Sequence, residues 1–85
     1  MFTNKANNGR NNICGVLVAQ YRKKLGKSQR QLADMLQIAG LDVDKTAIQR
    51  IESGQRFVTD IELIYLSKVL NASYADLLSL PESAQ

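Results

Sequence analysis

Residue types that serve catalysis and metal binding are scarce in this chain of 85 residues. Histidine is absent, and Cys14 is the only cysteine. A single cysteine forms neither an intramolecular disulfide nor an all-cysteine zinc site, and carboxylates alone make a poor zinc site. No apolar run is long enough to span a bilayer. We therefore expect a reduced, cytoplasmic protein with no metal, no other cofactor and no membrane partner.

The constellations that enzymes need are also missing. The chain has no nucleophile beside a general base and no glycine-rich loop for phosphate. Most of its carboxylates lie at positions that suit helix caps or ion pairs. We therefore expect that the protein is not an enzyme. Its length and its hydrophobic fraction of 45% are ordinary for one small folded domain.

The formal net charge of +3 is distributed unevenly along the chain. Residues 1–56 contain ten Lys or Arg and four Asp or Glu, a net charge of +6. Residues 57–85 contain one basic and four acidic residues, a net charge of −3. Such polarity indicates a basic face for an anionic polymer, although basic clusters are also common on ordinary solvated surfaces.

The residues predict an all-α fold of five short helices. Residues 1–12 include five asparagines and almost no aliphatic side chain, which predicts a flexible polar arm. Residues 13–80 hold the helical domain, and residues 81–85 form a short tail. Apolar residues at every fourth position from Ile13 to Leu25 predict the first helix. Capping residues predict the starts of the other four helices, namely Ser28, Asp44, Thr59 and Ser73.

The predicted third helix carries an unusual set of side chains. Its apolar residues form only a narrow stripe of Ala47, Ile48 and Ile51. The other side carries amide, hydroxyl and cationic groups from Lys45, Thr46, Gln49 and Arg50. In a DNA major groove, glutamine bonds adenine, and arginine or lysine bonds guanine. The same residues suit a solvated surface helix, so this helix alone does not decide the function.

The segments on either side of this helix suit phosphate binding. The predicted second helix begins with Ser28, Gln29 and Arg30. A helix N-terminus offers backbone N–H groups and a positive dipole end to an anion. Gln55 and Arg56 follow the third helix in a turn, where they can contact the next phosphates. Simple capping by Ser28 is compatible with this interpretation and with a purely structural one.

Three segments carry a family pattern: RKKLGKSQRQLADML at 22–36, TAIQRIESGQR at 46–56 and TDIELIYLSKVLNASYADLL at 59–78. The linked motifs are Ser-Gln-x-x-Leu-Ala, then Ile-x-x-Ile-Glu-x-Gly, then a leucine-rich helix. In these motifs the chain resembles the phage-repressor and Cro-like (XRE-type) helix-turn-helix transcriptional regulators. The resemblance implies a compact five-helix DNA-binding domain whose third helix reads bases.

The resemblance also implies roles for particular residues. The base-contacting positions of the family match Lys45, Thr46, Gln49 and Arg50. Its phosphate-contacting positions match Gln29, Gln55 and Arg56. The core positions of its two-helix unit match Leu32, Ala33, Leu36, Ile48 and Ile51. Arg22 and Glu52 match a pair that forms an ion pair between the first and third helices, which implies a structural role for Glu52.

One departure from the family concerns the turn between the second and third helices. The stretch from Leu36 to Asp44 is several residues longer than the family's usual tight turn. We expect the second helix to continue through residue 38 or 39, and Leu41 and Val43 to pack against the core. Asp42 and Asp44 lie near the base-reading side and would repel phosphate at close range.

Two functions compete on this basis. The first is a sequence-specific regulator of transcription, a repressor, that binds a palindromic double-stranded DNA operator as a homodimer. The second is a protein-interaction module on the same fold, such as an antitoxin with its toxin or a partner of an antirepressor. The basic residues 1–56 favour DNA. An RNA-binding role ranks third, because sequence-selective RNA readers expose stacking aromatics and the basic side shows none.

Two expectations concern aromatic and apolar residues of the second half. Tyr74, Leu78 and Leu80 suit a modest apolar contact with a second subunit. Phe57 is expected to pack beneath the fourth helix rather than to stack on a base.

Overall fold

Four of the five helices begin at a side chain that accepts a hydrogen bond from the backbone N–H three residues later. Ser28, Thr59 and Ser73 form full capping boxes, in which the side chain three residues on also accepts from the backbone of the cap residue. Asp44 caps through its carboxylate. Each cap satisfies an N–H group that the first turn of a helix leaves without a partner.

The structure, a computed structural model, describes residues 9–79. Within that range the regular secondary structure is entirely helical, which confirms the predicted all-α fold of five helices. The helices are α1 (Gly15–Lys24), α2 (Gln29–Ala39), α3 (Lys45–Ser53), α4 (Asp60–Leu70) and α5 (Tyr74–Leu78). None of them has the length and apolarity of a membrane span. Predictions for residues 1–8, Leu80 and the tail at 81–85 lie outside the described residues.

The helices enclose one apolar core. α3 packs against α1 and α2, α4 packs against α1 and α2, and α5 packs against α1 and α4. The largest fully buried side chains are Val18, Leu32, Leu36, Ile48, Ile51, Leu66, Leu70 and Leu77. In α1 Val18 is fully buried, and Leu17 and Tyr21 are partly buried against the core, while Leu25, directly after the helix, is exposed. The four-residue period therefore predicted the helix and most of its buried side, but Ile13 and Leu25 lie beyond its ends.

Phe57 does not pack beneath α4 as predicted. Its side chain is 53% exposed. The neighbouring Val58 packs against the core instead. Val58 directly precedes the Thr59 cap, a position at which an apolar residue often closes over the first turns of a helix. Only one of the two neighbours can point inward.

The lengthened turn between α2 and α3 is packed against the domain. Gly40 ends α2 in the left-handed conformation, with φ of 115°. Gln37 Nε2 donates to the carbonyl oxygen of Val43 at 2.7 Å, and the Val43 side chain is buried. Leu41 is partly buried against the core. These contacts give the long connection a defined path and agree with the expected end of α2.

The beginning of the described chain differs from the predicted flexible arm. Arg10, Asn11 and Asn12 all donate hydrogen bonds to carbonyl oxygens in and after the last turn of α3. These polar groups find partners because a helix C-terminus leaves carbonyl groups without intrahelical donors. Residues 10–12 therefore belong to the folded domain, although they were predicted to lie in the arm at 1–12.

Candidate nucleic-acid interface

α3 has one apolar side against the core and one polar side in solvent. Ile48 and Ile51 are buried. The four residues predicted to read bases are all exposed: Lys45, Thr46, Gln49 and Arg50. Residues at this spacing, four apart in two adjacent rows, share one side of a helix. The structure therefore brings the predicted base-reading set together on an accessible surface.

The carboxylate of Asp44 occupies the N-terminal end of α3. Asp44 Oδ1 accepts from the backbone N–H of Ala47 at 2.8 Å. A negative charge there is stabilised by the positive end of the helix dipole. Because the Asp44 carboxylate already fills this position, the N-terminal end of α3 is not open to another anion.

A shallow groove of about 250 Å³ separates the start of α3 from α2. Its lining residues are Arg30, Ala33, Asp34, Gln37, Asp44, Lys45 and Thr46. Two cations and two carboxylates face each other across this space. The charge around the start of α3 is therefore mixed, and Asp44 lies beside the base-reading residues as the sequence predicted.

A buried charged cluster fixes α3 to α1 and to the start of α2. Arg22 donates from Nε to Glu52 Oε2 at 2.7 Å and from Nη2 to Glu52 Oε1 at 3.0 Å. Gln29 Nε2 donates to Glu52 Oε1 at 3.0 Å. The Arg22 and Glu52 side chains are only 11% and 9% exposed. The hydrogen bond from Arg22 to Glu52 raises the pKa of the Arg22 guanidinium. The Glu52 carboxylate is bonded within the domain by Arg22 and Gln29 and acts as a structural group.

The residues predicted to contact phosphate fall into two groups. Three of them are exposed: Ser28, Arg30 and Gln55. The other two are partly buried and already bonded to carboxylates of the domain. Gln29 donates to Glu52, and Arg56 Nη1 donates to Glu62 Oε2 at 2.8 Å. Gln29 and Arg56 therefore hold helices in place and keep only their remaining N–H groups for a ligand.

The pattern of residues gave no indication that residues 10–12 contribute to this site. A run of asparagines is as typical of a polar arm as of a segment that caps a helix. Their partners lie about forty positions further along the chain, at separations of 39 to 44 residues. Only the packed structure brings the two segments together.

Cys14 is an inert thiol in this fold. Its side chain is buried, and burial raises the pKa of the thiol. A protonated, inaccessible thiol is neither a nucleophile nor a metal ligand. No group of three metal-ligating side chains occurs within residues 9–79.

A short helix with an exposed polar side, joined by a turn to a second helix that packs across it, defines a helix-turn-helix domain. The helix-turn-helix family model HTH_3 matches residues 18–77. The chain belongs to this family and is a DNA-binding transcriptional regulator. The match confirms the resemblance to the XRE-type regulators, a family of DNA-binding proteins and not of enzymes.

Solved structures share the fold over most of the chain. The restriction-modification controller protein C.AhdI from Aeromonas hydrophila is 25% identical, with a TM-score of 0.65 over 75% of this chain and 86% of its own. The clp gene regulator ClgR from C. glutamicum is 26% identical, with a TM-score of 0.67 over 78% and 79%. The hypothetical transcription factor NHTF from Neisseria, 18% identical, matches in fold with a TM-score of 0.71 over 84% and 76%. No curated protein matches the chain.

Proposed function

We propose that the protein is a repressor that reads a double-stranded DNA operator with α3 in the major groove. The observation that carries this proposal is the exposed set at positions 45, 46, 49 and 50, on the side of α3 opposite the buried isoleucines. Gln49 is suited to adenine, and Lys45 and Arg50 are suited to guanine. Thr46 can offer its hydroxyl to a base or its methyl group to thymine.

The phosphate contacts follow from the surroundings of α3. The first turn of α2 presents backbone N–H groups together with the exposed side chains of Ser28 and Arg30. Gln55, also exposed, follows α3 and extends the contact beyond it. Gln29 and Arg56 take part mainly by holding Glu52 and Glu62, and so by fixing the helices that carry the other contacts.

Two copies bind one palindromic operator in this proposal. A single small domain reaches too few bases for strong selectivity, and symmetric half-sites lie roughly 34 Å apart, one helical turn. Exposed apolar side chains of α4 and α5 offer a surface for the second copy. They are Ile61, Ile64, Tyr74 and Leu78. The protein acts in the cytoplasm, without a cofactor and without an enzymatic activity.

The test is a fluorescence-anisotropy titration on a duplex selected from a random pool, repeated over a salt series. Binding should weaken steeply with salt, because each neutralised phosphate releases counterions. Arg50→Ala should weaken operator binding by about 1–3 kcal/mol and relax the preference at one base position. Lys68→Ala is the matched control, since Lys68 is an exposed cation of α4 outside the proposed interface.

Three results would contradict parts of the proposal. A flat salt response, or equal affinity for selected and random duplexes, rejects sequence-specific DNA binding. A uniform loss on every sequence in Arg50→Ala places Arg50 on phosphate and not on a base. An equal loss in Lys68→Ala shows that only the total charge matters.

The exposed apolar surface of α4 also favours a second candidate, a protein-interaction module such as an antitoxin or an antirepressor partner. Ile61 is 61% exposed and Phe57 is 53% exposed, and both lie within the net-acidic residues 57–85. This function predicts two results. The wild-type protein gives a flat salt response on DNA, and Ile61→Asp abolishes binding to a protein partner. A steep salt response with base preference decides for the repressor.

A further inference from the structure

Residues 10–12, which we name the strap, close over the C-terminal end of α3. Six hydrogen bonds of 2.7 to 3.4 Å run from the strap to backbone carbonyl oxygens. The acceptors are Ile51, Glu52, Gly54, Gln55 and Arg56. Of these acceptors only Ile51 and Glu52 lie in α3, where the last carbonyls lack intrahelical donors, and Ile51 also accepts from the backbone N–H of Gly54. The strap thus supplies from another part of the chain what the helix end lacks.

The strap also carries a charge that suits this position. Arg10 Nη2 donates to the carbonyl oxygens of Glu52 at 2.8 Å and Ile51 at 3.4 Å. A cation at a helix C-terminus is stabilised by the negative end of the helix dipole. The guanidinium of Arg10 therefore holds the end of α3 both by hydrogen bonds and by charge.

Two glycines make room for this contact. A Cβ at Gly54 would lie within 3 Å of the Arg10 side chain. A Cβ at Gly15 would overlap the carbonyl oxygen of Ile51 and crowd Arg10. At Gly15 the backbone of α3 leaves no room for a Cβ, whereas at Gly54 a Cβ would require the Arg10 side chain to move. This close fit is independent of the hydrogen bonds and supports a defined position for the strap.

Asn12 links the two helices directly. Its Oδ1 accepts from the backbone N–H of Gly15 at 2.8 Å, and its Nδ2 donates to Ile51 O at 3.1 Å and Arg56 O at 2.7 Å. One amide thus joins the first turn of α1 to the end of α3. Asn11 contributes less, because its Oδ1 is buried without a hydrogen-bond partner among the described residues. Asn12 is therefore the central residue of the strap.

We propose that the strap, chiefly Asn12, is a positioning element that sets the orientation of α3 on DNA and so determines base specificity without contacting a base. The inference rests on the proposed function of α3. A helix of nine residues is too short to hold itself, so its direction depends on the groups at its ends and along its buried side. Arg50 lies in the last turn, directly before the residue whose carbonyl receives two strap hydrogen bonds. A recognition group must be held within about 0.5 Å to discriminate, so a loose last turn loses selectivity.

The test compares Asn12→Asp with Asn71→Asp. Asn12→Asp keeps the shape of the side chain and the acceptor for Gly15, but it turns a carboxylate oxygen toward the carbonyls of Ile51 and Arg56. Asn71→Asp makes the same change of charge at an exposed residue at the end of α4. The measurements are dissociation constants for the selected operator, for its single-base variants and for a random duplex.

In Asn12→Asp the operator-to-random affinity ratio should fall at least about ten-fold, and the preference at the base read by Arg50 should flatten. Asn12 contacts the turn that carries Gln55, so its added charge should weaken binding to the operator and to the random duplex alike, and only the ratio of the two affinities reports the positioning role. A variant that is less stable but still folded would keep the operator-to-random affinity ratio of the wild-type protein. Without DNA, amide hydrogen exchange at residues 54–56 should accelerate in Asn12→Asp while the amides of α2 stay protected.

Equal ratios in the two variants, with wild-type specificity intact, overturn the inference and leave the repressor proposal standing. Unchanged exchange at residues 54–56 also overturns it. A wild-type protein that prefers no duplex overturns both proposals. If Asn12→Asp does not fold, Arg10→Lys takes its place, since it keeps the charge and loses the planar fork that reaches two carbonyls. An unchanged operator-to-random ratio in Arg10→Lys then rejects the inference.

Discussion

The carboxylate of Glu52 fixes α3 to α1 and α2, and Glu52→Gln tests how much this contact contributes to stability. The carboxylate accepts three hydrogen bonds, two from Arg22 and one from Gln29. Glutamine keeps one acceptor oxygen but places an NH₂ group, another donor, against the remaining donors. Arg22 then keeps its charge in a site where its side chain is only 11% exposed.

The size of the effect follows from this burial. Breaking a buried ion pair by removing one partner costs about 3–5 kcal/mol. Arg22 Nη1 still donates to the carbonyl oxygen of Lys27 at 2.8 Å, and a tenth of its side chain reaches water. We therefore expect the lower end of that range, about 3 kcal/mol. With a urea dependence of about 1 kcal/mol per molar, the unfolding midpoint should fall by about 3 M.

The assay is urea unfolding followed by far-UV circular dichroism at neutral pH, with Glu62→Gln as the matched control. Glu62 is buried, with its side chain 11% exposed, but its partner Arg56 is 33% exposed, so water can solvate the charge that remains after the substitution. Glutamine at this position also preserves the capping box of α4. The control should lose no more than about 1 kcal/mol. Equal losses in the two variants would refute the argument that burial of the Arg22–Glu52 pair sets the cost.

Three further predictions concern other parts of the fold. Gly15→Ala should lower the free energy of unfolding by about 1–3 kcal/mol, since the new Cβ overlaps a carbonyl of α3; a loss below about 0.5 kcal/mol in urea unfolding would contradict it. Cys14, buried and with a raised pKa, should react with a thiol reagent only as the domain opens; native protein labelled as fast as unfolded protein would disprove this. Hydrogen bonds from Ser73 lower the pKa of the Asp76 carboxyl in the folded protein below its unfolded pKa of about 3.9. The carboxylate therefore stabilises the fold fully above that pH, and this stabilisation is lost as the pH falls through the lower pKa of the folded state. Asp76→Asn should therefore flatten the acid side of the stability–pH curve, and an unchanged acid side would count against it.

The helix starts and ends were predictable because they depend on local contacts. In the Ser28, Thr59 and Ser73 caps, each hydroxyl meets a backbone N–H only three residues away. Gly40 and Gly54 adopt the left-handed conformation that ends α2 and α3, a geometry that glycine alone accepts without strain. Such signals depend little on the rest of the fold, so capping residues were enough to predict the starts of four helices, and apolar periodicity predicted α1, which has no side-chain cap.

The contacts between distant residues were not predictable in the same way. Gln29 looked free to bind phosphate, but folding places its amide beside Glu52. Phe57 and Val58 are both apolar, and only the angle at which the chain enters α4 decides that Val58 turns inward. The strap looked like part of a polar arm, because its acceptors are backbone carbonyls, which no residue type reveals. The Arg22–Glu52 contact was expected only through the family resemblance, since 30 residues separate the partners.

The strap affects the order in which parts of the chain fold. Its bonds join residues 39 to 44 positions apart, so forming them requires closure of a loop about half as long as the chain. Loop-closure entropy opposes such contacts until other interactions hold the two segments near each other. The final turn of α3 is therefore completed late in folding. In the proposed function, a partly folded chain therefore exposes its basic residues before the base-reading surface of α3 is complete.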